Sequence, residues 1–330
     1  MRLATVLTPV TDSNLQLAAQ CGVTDLVTRY PESPEDLVRA QRHAERFGLN
    51  VSVVEGYLPI ERLKLGDDDG SELQAMKDLL VQMSDAGIRL LCYNFMSGTD
   101  WVRTATDVPA RGGSTVTAFR LQDVDRAQSL NASGPISGDT VTSEQLWQHL
   151  DRFLNELLPV GEKAGVTLAM HPDDPPLPEL LGRGRIMCSL EGFERLVRDW
   201  QSPANGVCFC QGTFAAMGVD IPDAIRRLGP HIVYVHCRDT AGTATDFVET
   251  FHDDGPTDMV AAMRAYREVG FEGPLRPDHV PMFAGEEGEP GYTMLGRLFA
   301  YGYLRGLMQA TESDAGALRA SGRLDRIGND

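Results

Sequence analysis

The chain has 330 residues, 42% of them hydrophobic, and a formal net charge of −17. This length suits one α/β barrel with an insertion, and this apolar content fills a large core, which excludes a disordered chain. The negative charge opposes nucleic acid, which needs a basic surface, and no apolar stretch is long enough to span a bilayer.

The first residues, MRLATVLTPVTDSN, contain no charged leader followed by a long apolar core, so no signal peptide is expected. The six cysteines, at 21, 92, 188, 208, 210 and 237, form no CxxC pair and read as reduced thiols. Together these features give a cytoplasmic expectation.

Along the chain one pattern recurs: a helical stretch ends in glycine and a short apolar run follows. It appears as AAQCG-VTDLVT, AERFG-LNVSVVE, MSDAG-IRLLCYNF, GEKAG-VTLAMH and REVG-FEGPLRPDH. Glycine takes the left-handed conformation past a helix end at little cost. The runs are rich in Val, Leu and Ile without strict alternation, as parallel strands covered on both faces should be. Strands are predicted at residues 3–7, 25–28, 50–54, 89–94, 166–171, 206–210, 232–236 and 275–278. Eight strands in βα units predict a closed (β/α)8 TIM barrel, and no GxGxxG follows the first strand to favour a dinucleotide-binding sheet.

The spacing breaks after the fourth strand. Residues 97–144 hold a predicted hairpin (VRTATDV, ARGG, STVTAFRL) and a polar stretch, and a loop of this length is read as a lid over the active site. Residues 1–310 are thus one barrel domain. The polar stretch 311–330 is expected to be a peripheral or partly disordered tail.

Four successive predicted strands close on a side chain that can bind metal: His171 in VTLAMH, Cys210 in GVCFC, His236 in HIVYVH and Asp278 in GPLRPD. Taken singly, each has an ordinary role as a hydrogen-bonded His, a buried thiol or a cap. Their joint arrival at the carboxyl ends of adjacent strands, where barrels build their sites, points to one divalent ion. Two imidazoles, a thiolate and a carboxylate suit Zn²⁺, Fe²⁺ or Mn²⁺, whereas Mg²⁺ and Ca²⁺ prefer oxygen shells. Such an ion binds a hydroxy acid through its carboxylate and neighbouring hydroxyl and acidifies the carbon between them.

His279, next to Asp278, is read as a proton carrier or as a group that orients a ligand. Tyr292, in PGYT, is read as a phenolic acid/base or a packing aromatic. Asn94 ends the fourth strand and Glu55 the third. Asp100, Trp101 and Arg103 follow in DWVRT, Arg120 ends the second hairpin arm, and Arg238 lies two residues past His236. Asn94, Arg103, Arg120 and Arg238 are the substrate-binding candidates, since an anion in an acidic protein needs guanidinium donors. His252 reads as a cap before a helix beginning near Pro256. His43 and His149 read as structural.

These segments together resemble the mannonate dehydratase family. The matching pieces are CYNFM (92–96), DWVRT (100–104), HPDDPP (171–176), FCQGT (209–213), the HxR of His236 and Arg238, HDDGPTDM (252–259), RPDH (276–279) and PGYT with GR (290–297). They run from about residue 89 to 310 in family order. The resemblance implies a xylose-isomerase-like barrel, a divalent metal, usually Mn²⁺, and conversion of D-mannonate to 2-keto-3-deoxy-D-gluconate plus water. It implies His171, Cys210, His236 and Asp278 as ligands and His279 with Tyr292 as the acid/base pair, without saying which is the base. The front departs from the family. Where family members carry an aromatic–Gly–Pro segment and a His pair after strand two, this chain reads TVLTPVTD and VTRYPES; a His four residues before His252 is Val248 here.

The leading expectation is therefore a metal-dependent sugar-acid dehydratase with a small-molecule substrate, no nucleic-acid or membrane partner, and a homo-oligomeric state of dimer or larger. A dehydratase of another aldonate and a sugar isomerase or epimerase on the same barrel are the alternatives. A nuclease is disfavoured by charge. A binding barrel is disfavoured by retention of the whole donor set.

Overall fold

The computed structural model describes residues 1–98, 101–129 and 140–320. Eight parallel strands form the centre: β1 (Arg2–Val6), β2 (Asp25–Thr28), β3 (Asn50–Glu55), β4 (Leu90–Tyr93), β5 (Thr167–Met170), β6 (Asn205–Cys210), β7 (Ile232–Cys237) and β8 (Pro274–Pro277). Each pairs with its neighbour in the chain, and β8 pairs with β1 through Arg2↔Pro274 and Leu3↔Leu275, closing the barrel.

A long helix follows every strand: α1 (Asp12–Gln20), α2 (Pro34–Glu45), α3 (Ser71–Asp85), α4 (Ser143–Ala164), α5 (Leu190–Asp199), α6 (Ile221–Leu228), α7 (Met259–Glu268) and α8 (Met294–Ala320). The longest interior example shows why. In α4, Thr142 and Gln145 cap each other reciprocally, Leu146, Leu150, Phe153, Leu154 and Leu157 bury one stripe, and Gly165 ends the helix at φ 64°. The stripe packs on the outside of the barrel with Leu91, Leu168 and Val207.

A second, smaller apolar layer fills the inside. Val6, Val27, Val53, Cys92, Ala169, Cys208 and Tyr234 point inward and meet there. This plug closes the barrel beneath its mouth, so polar side chains one layer higher are held on a firm floor.

Over the mouth lies a four-stranded antiparallel sheet. Ala105–Pro109 pairs with Thr115–Arg120, which pairs with Asp246–Glu249, which pairs with Thr240–Thr243. The inner two strands thus bring the segment after β4 against the segment after β7, through Phe247↔Phe119 and Val248↔Ala118. The hairpin after β7 was not expected from the sequence, because TAGTATDFVE is too polar and short to read as two strands.

Two further differences have local causes. The helix expected near Pro256 begins at Met259, because Asp258 supplies the cap, accepting from the Ala261 amide at 2.9 Å. Polar residues 311–320, expected in the tail, continue α8; a stretch without an apolar stripe extends a helix already nucleated on the barrel. Residues 321–330 lie outside the described residues. No helix among the described residues is long and apolar enough to cross a membrane.

Candidate active site

β5 to β8 are adjacent in space, and each delivers one donor. His171 and Asp278 immediately follow β5 and β8, Cys210 ends β6, and His236 lies at the end of β7. The register pairs Cys210 with His236 directly. Ligand atoms of His171, Cys210 and His236 lie within 4.8 Å of one another. Asp278 adjoins them: its Oδ2 is 3.5 Å from Cys210 Sγ and its Oδ1 3.8 Å from His236 Nδ1. All four are buried.

The protonation of this cluster suits a cation. His171 Nδ1 lies 2.7 Å from the Pro172 carbonyl, which only accepts, so Nδ1 carries a proton and Nε2 is the nitrogen left for a ligand. Burial opposes a charge on the ring, but Cys210 prevails and raises its pKa, so a cation at Nε2 would displace a proton there. That Nε2 is buried with no hydrogen-bond partner among the described residues, a costly state unless an electrophile fills it. Burial opposes ionisation of Cys210, but the Arg238 charge and His171 outweigh it and draw the thiol down to about 5, so it is a thiolate at neutral pH. Burial and Arg276 disfavour a proton on His236, yet Glu55 and Asp278 prevail and raise its pKa. A cation held by these groups would displace that proton. The residues present therefore fit a divalent transition ion.

Two ion networks hold the donors. Below, Glu55 accepts from Arg276 Nη2 (2.7 Å) and Tyr234 Oη (2.8 Å) and lies 3.1 Å from His236 Nε2. Above, Arg238 Nε donates to Asp278 at 2.6 Å and Nη2 to Asp174 at 2.7 Å. Arg103 grips Asp174 with both Nη atoms (2.8 and 2.9 Å) and donates to Glu249 at 2.6 Å. Glu249 in turn accepts from His279 Nδ1 at 2.6 Å.

The chain Asp278–Arg238–Asp174–Arg103–Glu249–His279 therefore links the metal-capable cluster to the His279 ring. Burial alone would raise Asp174, but Arg103 and Arg238 hold it below the ordinary carboxylate value; Glu249 is likewise lowered against burial by His279 and Arg103. Depressed carboxylates stabilise the fold above their unfolded pKa and lose that contribution as pH falls through the folded one. Acid unfolding is expected to set in below roughly pH 4, near the unfolded Asp and Glu values, as followed by circular dichroism. Asp174→Ala leaves two buried guanidinium groups short of a partner and is expected to cost about 3–5 kcal/mol in chemical denaturation.

His279 is 3% exposed and its ring meets Tyr292 edge-on at 5.3 Å. A bridge between Val280 and Gly291 folds the loop back to bring them together, and Gly291 (φ 84°) sits against the His279 ring, where a side chain would intrude. Burial raises the Tyr292 phenol above its usual value, reinforced by Asp278 and opposed by Arg276, so it stays protonated at neutral pH.

The four substrate-binding candidates part company. Arg238 and Arg103 lie inside the network, and every Arg103 donor group already meets a carboxylate or the Val102 carbonyl. Asn94 Oδ1 accepts from Lys64 Nζ and the Met96 amide, both at 3.1 Å. Arg120 is exposed on the antiparallel sheet, 3.6 Å from Asp246. In the segment after β4, Trp101 lies 5.6 Å from the His171 ring, edge-on; Asp100 lies outside the described residues. His43 and His149 serve the scaffold, one beside Asp12 and the other beside the Lys64 carbonyl.

Sequence reasoning missed Glu249 and Asp174 as network members. Asp174 stood in HPDDPP, but nothing in its spacing tied it to Arg103 or Arg238; Glu249 sits in an unforeseen strand. His252 is not a cap. It is 1% exposed, its ring nitrogens have no hydrogen-bond partner among the described residues, and burial lowers it to about 4.

The chain matches the family described as D-mannonate dehydratase (UxuA) over residues 8–133 and 137–317. It is 33% identical to mannonate dehydratase 2 of Halalkalibacterium halodurans, covering 84% of this chain and 88% of that one. It is also 33% identical to the mannonate dehydratase of Shouchella clausii, covering 85% and 86%. The crystal structure of mannonate dehydratase from Streptococcus suis serotype 2 superposes with a TM-score of 0.83 at 28% identity, over 98% of this chain and 96% of that one. A xylose isomerase domain protein from Planctomyces limnophilus shares the fold, with a TM-score of 0.61 at 15% identity over 94% and 96%.

Proposed function

The chain belongs to the D-mannonate dehydratase family, and from that premise we propose that it is a metal-dependent hydro-lyase converting D-mannonate to 2-keto-3-deoxy-D-gluconate and water. The observation that carries this reading is the convergence of His171, Cys210, His236 and Asp278 at four adjacent strand ends, with His171 Nε2 buried and without a hydrogen-bond partner among the described residues. These four residues would hold the ion, Mn²⁺ first, with Fe²⁺ or Zn²⁺ the alternatives. Bound there, it would act as a Lewis acid toward a carboxylate and the adjacent hydroxyl.

The protein's own groups handle the protons. Glu249 accepts from His279 Nδ1 and so fixes the tautomer with the proton on Nδ1 and the lone pair on Nε2. His279 is thereby the base for the C2 proton. Tyr292, neutral at working pH and against the His279 ring, is the acid that protonates the departing C3 hydroxyl. Arg238 and Arg103 position Asp278, Asp174 and Glu249. The segment 97–144 acts as a lid, with Trp101 beside His171 at its base.

The substrate's far end is expected to meet the front of the barrel, near Leu7, Arg29 and Tyr30, where this chain departs from its family. Arg29 stacks near Tyr57 and lies 3.9 Å from Glu55. A second reading, a different six-carbon aldonate, follows from that departure. A lost hydroxyl partner costs about 1–3 kcal/mol, so a stereoisomer lacking its contact reacts about ten- to a hundredfold more slowly. The test is a panel of hexonates with Mn²⁺-loaded protein, read by keto-acid release. D-Mannonate is expected to react fastest. Faster turnover of a stereoisomer selects the second reading, and no keto acid from any hexonate removes the dehydratase activity.

A further inference from the structure

One layer beneath the four donors, the barrel interior carries two more thiols. Cys92 on β4 and Cys208 on β6 face inward from either side of β5, at 2% and 0% exposure. Their sulfur atoms and a ring nitrogen of His236 lie within 4.8 Å of one another, as do the ligand atoms of the upper trio of His171, Cys210 and His236. His236 is common to both groups.

We propose that Cys92, Cys208 and His236 form a second cation site, selective for a thiophilic ion such as Cd²⁺, Zn²⁺ or Cu⁺, that competes with the upper site for His236. The two sets differ in softness. The lower offers two sulfurs, the upper one sulfur beside a carboxylate. Thiolate ligands select soft and borderline ions, whereas carboxylate and imidazole suit Mn²⁺. Each ion therefore has its own level in the barrel. Binding below releases two thiol protons to solvent, and the resulting thiolates balance the charge of a divalent ion. Glu55 adds negative charge alongside: it is the register partner of Cys92, and its Oε2 lies 3.1 Å from His236 Nε2.

The sharing of His236 gives the site its consequence. An imidazole engaged by the lower ion is withdrawn from the upper set, so a soft ion leaves the protein metallated yet inactive. That consequence rests on the proposed function, in which the upper set holds the working ion; the lower site does not.

The experiment uses a background with the partly exposed Cys21 and Cys188 changed to Ser. In it, Cys210→Ser is titrated with Cd²⁺ and followed by the ultraviolet thiolate-to-cadmium absorption. A band equivalent to two thiolates per bound Cd²⁺ is expected, because the interior pair is untouched. Cys92→Ala with Cys208→Ala is expected to lose that band and to raise the Cd²⁺ needed to inhibit the Mn²⁺-loaded enzyme by at least about tenfold, the lower range for removing a group that supports metal binding. Prior loading with Mn²⁺ is expected to slow inhibition of the unsubstituted enzyme. The Cys210→Ser measurement keeps the interior packing and stands even if the double variant does not fold. Absorption is read without turnover, so failure of D-mannonate dehydration leaves this site standing. Absence of a two-thiolate band in Cys210→Ser, or undiminished cadmium sensitivity in a folded double variant, would overturn it.

Discussion

Chelating the divalent ion is expected to abolish keto-acid release, with Mn²⁺ restoring it. The argument is electrostatic. Asp278, thiolate Cys210 and Glu55 gather negative charge in a buried space, answered there by Arg238 and Arg276. An ion bound among His171, Cys210, His236 and Asp278 takes over the positive charge that a proton on His236 supplies and gives the buried His171 Nε2 a partner. His171→Ala is expected to lower metal affinity by more than the roughly 10–100-fold typical of a supporting residue, measured as metal content after dialysis. Removing the ion is also expected to lower Tm, since a ligand bound only by the folded state stabilises it by mass action. Full turnover in metal-stripped protein would remove the ion from the reaction.

Replacing His279 with Asn is expected to lower turnover by at least about 10²-fold, the lower range for a general acid or base, while metal content stays unchanged. His279 touches Glu249 rather than the ligand set, so its loss leaves the four donors in place. The assignment of His279 to the C2 proton has a further readout. In deuterated solvent, Tyr292→Phe is expected to retain exchange at C2 while losing dehydration, and His279→Asn to lose both. Glu249→Gln is expected to fall between them, because an amide in place of the carboxylate holds the His279 ring and its tautomer less firmly. Exchange that persists in His279→Asn would pass the base role to another group.

The site and its scaffold were legible in the sequence to different depths. Helix caps and strand periodicity are local. Gly165 after α4, and the apolar runs ending at His171, Cys210 and His236, follow from a few residues' conformational preferences. Once eight such units close into a barrel, geometry sends every strand end to one mouth. The four candidate donors could thus be picked out from their positions alone.

What the amino-acid order determined by itself is this barrel, its polarity and the identity of the side chains at its mouth. Only the tertiary structure decided which of them are spoken for. Arg103, expected to bind substrate, is consumed by Asp174 and by Glu249, 71 and 146 residues away. Arg238 spans Asp174 and Asp278 in the same way. Glu249 reaches His279 because a short polar hairpin pairs with the segment after β4 through Phe247 and Phe119. Cys92 and Cys208 meet His236 because alternate strands point into a shared layer. No local pattern encodes such pairings: a buried charge takes its partner from whatever the closed fold brings within reach, and sequence separation carries no record of that distance.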